Sequence, residues 1–143
     1  MALALAGCAE SPGEDPRADP RNAAVVAAGA KIYAGHCAAC HGAKLEGQPD
    51  WRNRLPNGRL PAPPHDESGH TWHHPDDVLF GITKHGLVPG QHAPQDYQSD
   101  MPAFAGKLSD AEIWATLAYI KTWWKSKDVA DARAEMLRNA QER

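Results

Sequence analysis

The residues with the clearest chemistry are Cys37, Cys40 and His41, which form a Cys-x-x-Cys-His sequence. This pattern is typical of covalent c-type haem attachment, because two thiols three positions apart reach the two vinyl groups on one edge of a porphyrin. The adjacent imidazole then lies beneath the ring, where it can bind the iron. The sequence therefore predicts one covalent haem c on Cys37 and Cys40, with His41 as an axial iron ligand.

Three other interpretations of this motif stay open from the pattern alone. A thioredoxin-like redox pair also uses Cys-x-x-Cys, but it is expected within a β-α-β unit, and the sequence shows no such unit. A zinc site would need a second cysteine pair, and the chain contains three cysteines in total. The pattern could also arise by chance.

Length and composition limit the class of protein. The 143 residues suit one domain, and the net charge of −3 disfavours a nucleic-acid-binding protein, which would show a basic excess. The chain also contains 12 glycines and 12 prolines, a composition typical of long loops. We expect a thin protein core to which a buried haem adds apolar surface.

The third cysteine, Cys8, ends the sequence Leu-Ala-Gly-Cys, which is typical of a bacterial lipobox. We expect residues 1–7 to be a signal peptide remnant that is cleaved before Cys8, whose thiol then carries a lipid anchor. This stretch is too short to span a bilayer and lacks a positive region, so the natural start is expected upstream. The alternative is an isolated cysteine in an alanine-rich N-terminus. Residues 8–22 carry three prolines and mixed charges, which predicts a flexible linker.

A first helix is predicted over residues 23–36, with Asn22 as its cap. The residues spaced by three and four along one of its faces lead directly to the haem motif: Val26, Gly29, Ala30, Tyr33 and Cys37. Glycine in a helix interior costs about 1 kcal/mol relative to alanine. Close approach of another helix at Gly29 would compensate for this cost, and tolerated flexibility is the alternative.

Two loops surround a short helix in the middle of the chain. Residues 43–74 are rich in proline and histidine and show no periodicity, which predicts a loop that wraps a cofactor. Pro75 favours the start of a short helix, and Gly86 favours its end. The second loop, residues 87–108, contains Met101, followed by Pro102.

The last strong helix signal begins at Ser109, which forms a capping box with Glu112. Apolar residues at helical spacing behind it predict one buried face, formed by Ile113, Leu117, Ile120 and Trp124. Residues 127–143 are helix-prone but nearly all polar, so we expect a polar helical extension that is solvated or frayed.

From about residue 23 to residue 124 the chain resembles the class I c-type cytochromes, which carry a single haem, and the predicted cytochrome c domain spans residues 23–126. The resemblance is based on the helix leading into the Cys-x-x-Cys-His motif, the Met101-Pro102 turn and the helix start at Ser109. It implies an all-α fold of three to five helices around one covalent haem, with Met101 as the second axial iron ligand. In that family the first and last helices cross at a small residue facing an aromatic one, and Gly29 and Tyr119 match those positions. The middle loop is longer than the family's minimal plan.

A histidine is the main competitor of Met101 for the second ligand position, because imidazoles also bind haem iron. Six histidines lie between the two ligand sites, and each is most simply a loop residue: His65, His70, His73, His74, His85 and His92. A copper site on His70, His73 and His74 is an alternative, since imidazole suits copper.

Two further interactions are expected around the haem. The Nδ1–H of His41 needs an acceptor, and a backbone carbonyl within residues 61–64 is the candidate. The haem propionates need donors, for which Arg59 and Trp72 are candidates, with surface exposure as the alternative.

An iron with both axial positions filled has no open site for substrate, so the sequence predicts an electron carrier and not an enzyme. Expected partners are a respiratory complex, a terminal oxidase or a periplasmic oxidoreductase. The expected location is the periplasmic side of a bacterial membrane, either lipid-anchored or soluble. One alternative is a ligand-binding sensor or peroxidase-like enzyme with a labile Met101. Another alternative is a subunit fixed in a larger complex. Exposed apolar patches around Trp123 and Trp124 would support it.

Overall fold

Five α-helices joined by long loops organise residues 14–142, the part of the chain that the computed structural model describes. Single turns of 3-10 helix lie at Pro16–Ala18 and Thr71–His73, and no β-strand is found in this range. The predicted all-α fold of three to five helices is therefore confirmed. The helices are α1 (Ala23–His36), α2 (Ala38–His41), α3 (Asp76–His85), α4 (Asp110–Lys121) and α5 (Lys127–Gln141).

The predicted helix boundaries follow from local chemistry. The Asn22 side chain accepts a hydrogen bond of 3.2 Å from the Val25 N–H and so caps α1. At the start of α4, the Ser109 N–H donates to the Glu112 carboxylate at 2.8 Å, and the Glu112 N–H donates to the Ser109 hydroxyl at 3.3 Å. These two bonds form the predicted capping box. Gly86 ends α3 with a φ of +81°, a conformation that glycine adopts without steric cost.

The helices α1 and α4 cross at Gly29, where their backbones touch. A Cβ placed on Gly29 would lie 1.8 Å from the Ala115 carbonyl oxygen, so only glycine permits this approach. The predicted close approach of a second helix is thus confirmed. The aromatic contact lies one turn further along α1, where the rings of Tyr33 and Tyr119 are 5.4 Å apart.

Helix α4 is buried on nearly all sides and not on one stripe alone. Eight of its twelve residues are buried, because α1, α3 and the turn at Pro16–Ala18 all pack against it. The helix also ends at Lys121, so Trp124 follows the helix and does not extend its buried face. The predicted buried face is therefore confirmed at Ile113, Leu117 and Ile120, whereas its extension to Trp124 is wrong.

The N-terminal segment from residue 14 onward is packed against the core. Ala18 is fully buried, and the Arg17 guanidinium lies 4.3 Å from the centre of the Trp114 ring. The Asp15 N–H donates to the Asp76 carboxylate at 2.8 Å. The prediction of a flexible linker is therefore wrong for residues 14–18. Residues 1–13, including Cys8, lie outside the described part of the chain.

Four charged side chains from distant parts of the sequence meet in a buried cluster. Asp76, which is fully buried, pairs with Lys121 at 2.8 Å and with Arg133 at 2.8 Å. Glu14 pairs with the same two cations, with Arg133 at 2.6 Å. Burial raises the pKa of Asp76, whereas at Glu14 the hydrogen bonds and charges of the two cations outweigh burial and lower the pKa.

This cluster attaches the polar C-terminal helix to the rest of the molecule. Arg133 also donates to the carbonyl oxygens of Trp72 and His74, at 2.8 and 2.7 Å. Val129 and Leu137 are buried on the same face of α5. The prediction that residues 127–143 form a solvated or frayed tail is thus wrong for this face.

We predict that Gly29→Ala lowers the free energy of unfolding by about 3 kcal/mol, because the added methyl forces the two helix backbones apart. The control is Gly35→Ala on the same helix, where an added Cβ meets no atom within 4 Å. That variant should gain up to about 1 kcal/mol from helix propensity. Urea unfolding of both variants measures the difference, and equal effects would contradict the close crossing.

We predict that Arg133→Met costs about 3 kcal/mol of unfolding free energy, because Asp76 keeps a buried charge with one cation fewer. Arg138→Met is the matched control, since Arg138 is exposed on the same helix and its loss should change stability by less than about 0.5 kcal/mol. Thermal unfolding of the two variants provides the comparison. Similar small effects for both would support a solvated α5.

Candidate haem site

The cysteine motif lies at the junction of two helices. Cys37 ends α1, with its N–H bonded to the Tyr33 carbonyl at 2.9 Å, and the short α2 ends with His41. Both cysteines are free of disulfides, Cys37 half-buried and Cys40 exposed. Burial raises the pKa of Cys37 to about 11. A thioredoxin-like pair needs a thiol of lowered pKa, so the buried environment of Cys37 disfavours that interpretation.

His41 is buried, and the proline-rich loop holds its ring in a fixed orientation. Its Nδ1 lies 2.8 Å from the Pro63 carbonyl oxygen. Because a carbonyl only accepts hydrogen bonds, Nδ1 carries the proton and the Nε2 lone pair is free to bind a metal. Burial lowers the pKa of His41 despite this bond, which favours the neutral, ligating form. The acceptor lies within residues 61–64, as the sequence predicted.

A second histidine packs flat against His41. The ring centres of His41 and His65 are 3.9 Å apart, with an angle of 25° between the planes. His65 Nδ1 lies 2.7 Å from the Thr71 hydroxyl, its N–H donates to the Leu45 carbonyl, and its own carbonyl accepts from the Trp124 indole at 2.9 Å. His65 therefore helps to confine the His41 ring. This contact could not be predicted from the sequence, because a stacked loop histidine has no characteristic spacing.

Met101 lies among apolar residues on a different part of the core. Its side chain is half-buried and packs against a cluster formed by Phe104, Leu108 and Ile113, to which Ile32 and Phe80 also contribute. Its N–H donates to the Ser99 hydroxyl at 3.0 Å. An apolar setting suits a thioether, which is polarizable and weakly polar.

These residues fit a covalently bound haem. The motif supplies two thiols one helical turn apart and a neutral imidazole with a free Nε2 lone pair. A match to the family model described as cytochrome c covers residues 26–124, more than two thirds of the chain. The chain belongs to the cytochrome c family. It therefore binds haem c covalently and acts in haem-based electron transfer.

Two further comparisons give no significant match for this cytochrome c, neither with curated proteins nor with solved structures. A search of its helices within residues 14–142 for a membrane span found none that is both long and apolar enough.

The proposed propionate donors of the cytochrome make other contacts. The Trp72 indole N–H donates to the Glu67 carbonyl at 3.3 Å, and its ring stacks on His73 at 3.7 Å. Arg59 forms an ion pair with Asp100. Their role toward the propionates stays a prediction.

The three histidines of the copper alternative do not converge on one point. His70 and His74 pack edge to face with ring centres 5.6 Å apart, but His70 also stacks on Trp51 at 5.4 Å, and His73 stacks on Trp72. Within residues 14–142, no three or more histidine, cysteine or acidic side chains are grouped so that they could hold a metal ion. The structure therefore gives no support to the copper site.

We predict that Trp124→Phe lowers the unfolding free energy of the cytochrome by about 1 kcal/mol, because the His65 carbonyl loses its indole donor. Trp123→Phe makes the same change of ring beside it, where the indole packs edge-on against Tyr119 at 6.5 Å. Urea unfolding should show the larger loss for Trp124→Phe. Equal losses would mean that the hydrogen bond adds nothing to ring packing.

Proposed function

We propose that this cytochrome c is a one-electron carrier whose haem iron is bound by His41 on one side and Met101 on the other. The observation that carries the proposal is the hydrogen bond from His41 Nδ1 to the Pro63 carbonyl, which directs a neutral Nε2 to the iron. The apolar packing of Met101 supports the second half of the ligand pair. Bound haem supplies a one-electron couple between ferric and ferrous iron.

The protein residues would set the properties of that couple. His41 keeps one tautomer because its Nδ1–H is held by a carbonyl, and the stacked His65 restricts rotation of its ring. A thioether from Met101 favours ferrous iron and raises the reduction potential. Phe104, Leu108 and the other apolar neighbours of Met101 would limit the access of water to this ligand.

The proposed partners are redox proteins of the bacterial envelope: a respiratory complex, a terminal oxidase or a periplasmic oxidoreductase. Bacterial cytochrome c domains typically work in the periplasm or outside the cell. A lipid anchor on Cys8 would keep the domain near membrane partners, with electrons passing through the exposed haem edge.

A freely moving carrier is favoured over a fixed subunit. Trp123 and Trp124, which could have formed an exposed apolar patch, are half-buried and pack against the core. Among the described residues, Leu55 is the large apolar side chain that stands out as exposed. A permanent interface usually has a larger apolar area than one such residue provides.

We predict that Met101→Ala abolishes the weak long-wavelength thioether-to-iron band in the optical spectrum of the ferric holoprotein. Carbon monoxide should bind readily to the reduced variant and poorly to the reduced wild type, because the variant has an open iron position. Met136→Ala is the control: Met136 lies on α5, and its loss should leave both the band and carbon monoxide binding unchanged.

A wild-type protein that lacks the band and takes up carbon monoxide at once would contradict the His41–Met101 carrier. It would favour the ligand-binding sensor or peroxidase-like enzyme. A band that survives in Met101→Ala would instead point to another ligand.

A further inference from the structure

The long middle loop contacts the chain just before Met101 through two arginines. A turn at residues 54–59, here called the arginine turn, places Arg59 in an ion pair with Asp100, which immediately precedes Met101. At the other end of the turn, the Arg54 guanidinium lies 5.8 Å from the centre of the Tyr97 ring. The ion pair joins residues that are 41 positions apart in the sequence.

The arginine turn is held in shape by its own hydrogen bonds. The Leu55 N–H donates to the Arg59 carbonyl at 2.8 Å, and the Gly58 N–H donates to the Leu55 carbonyl at 2.8 Å. The Arg54 guanidinium also donates to the Gly58 carbonyl at 2.6 Å. Gly58 has a φ of +81°, which suits glycine at this position. Both arginines therefore project from a preorganised turn.

The chain around Met101 is held differently on its two sides. After Met101, the Phe104 N–H donates to the Thr83 carbonyl at 3.1 Å and the Ala105 N–H to the Lys84 carbonyl at 2.9 Å, which fixes this side to α3. Before Met101, the backbone bonds are local, such as that from the Tyr97 N–H to the Pro94 carbonyl. The contacts of the arginine turn supply long-range attachment on that side.

We propose that Arg59, assisted by Arg54, is a positioning residue for Met101. Its ion pair with Asp100 holds the preceding chain against the arginine turn and thereby keeps the thioether on the iron. This inference depends on the proposed His41–Met101 ligation, and it gives Arg59 a role other than that of a propionate donor.

The pair is partly open to solvent, which limits the size of its effect. The Arg59 side chain is 37% exposed and that of Asp100 61%. A cavity of about 310 Å³ lies between the two segments, lined by Arg54, Asn57, Gly58, Asp96 and Gln98. Because exposed pairs are modest and screened by salt, we expect about a two- to fivefold change in the rate of Met101 release.

The test measures how fast saturating imidazole replaces Met101 in the ferric holoprotein, followed by loss of the thioether band. Arg59→Gln and Asp100→Asn should each raise this rate about two- to fivefold, and the double variant should raise it no further. Salt at about 1 M should speed the wild type toward the variants and change the variants little. Unfolding temperature should stay nearly constant.

Two further variants separate the ion pair from general charge effects. Arg52→Gln removes a neighbouring arginine whose guanidinium lies over Trp51, at 4.1 Å from the ring centre, and should leave the rate unchanged. Arg59→Asp places two carboxylates together and should speed release beyond Arg59→Gln. Adding Asp100→Arg to Arg59→Asp restores an opposite pair and should bring the rate back toward wild type.

Additive effects of Arg59→Gln and Asp100→Asn would overturn the proposal, because they would show that Arg59 acts elsewhere, for example on a propionate. A rate in Arg59→Gln equal to that in Arg52→Gln would overturn it as well. Both outcomes leave the thioether band of the wild type intact. If the wild type lacks that band, the ligation by Met101 fails, and this inference fails with it.

Discussion

At the crossing of α1 and α4, Gly29 allows two helix backbones to come into contact. The positions of the haem motif and of His41 depend on this crossing. One turn further along α1, Tyr33 packs on Tyr119 and donates its hydroxyl to the Gly42 carbonyl at 3.0 Å, which ties the end of the haem motif to the same crossing. Beyond the end of α4, Trp124 donates to the carbonyl of His65, the residue stacked on His41. The contact of two helices thus reaches His41 from two directions. An added side chain at Gly29 would disturb both the helix packing and the orientation of His41, because close-packed interiors transmit such strain.

A buried charged cluster attaches two polar segments that have little apolar surface to the core. It consists of Glu14, Asp76, Lys121 and Arg133. Residues 14–18 and α5 flank the core, and each contributes a charge to Asp76 or its partners. Buried ion pairs add less stability than their number suggests, because desolvation offsets much of the attraction. Losing one member would leave the others charged and buried, which disfavours docked positions in which a pair is broken. Arg133 extends this to the middle loop through the carbonyls of Trp72 and His74.

Local sequence signals predicted the parts of the structure that depend on local chemistry. The haem motif, the cap at Asn22, the capping box at Ser109 and the unfavourable glycine at position 29 all act over a few residues or through one steric demand. Even the acceptor for His41 could be narrowed to residues 61–64, since a stiff proline-rich loop has spare carbonyls. The contacts that the sequence did not reveal pair distant charges or stack loop rings: Asp76 with Arg133, His65 with His41, Arg59 with Asp100. Such pairs follow no periodicity in the sequence. A helix as polar as α5 is predicted to be solvated, because its few buried positions cannot be recognised from composition.

The middle loop, longer than the minimal plan of the family, serves both sides of the proposed iron site. Pro63 orients His41, and four residues earlier Arg59 reaches the chain before Met101. The loop is closed by the hydrogen bond from the backbone N–H of His65 to the Leu45 carbonyl at 2.8 Å. An electron carrier benefits when its ligands move little between oxidation states, because every displacement must be repeated at each transfer. In the proposed arrangement, one closed loop contacts both His41 and the chain before Met101, so a displacement at either ligand would act on contacts of the same loop.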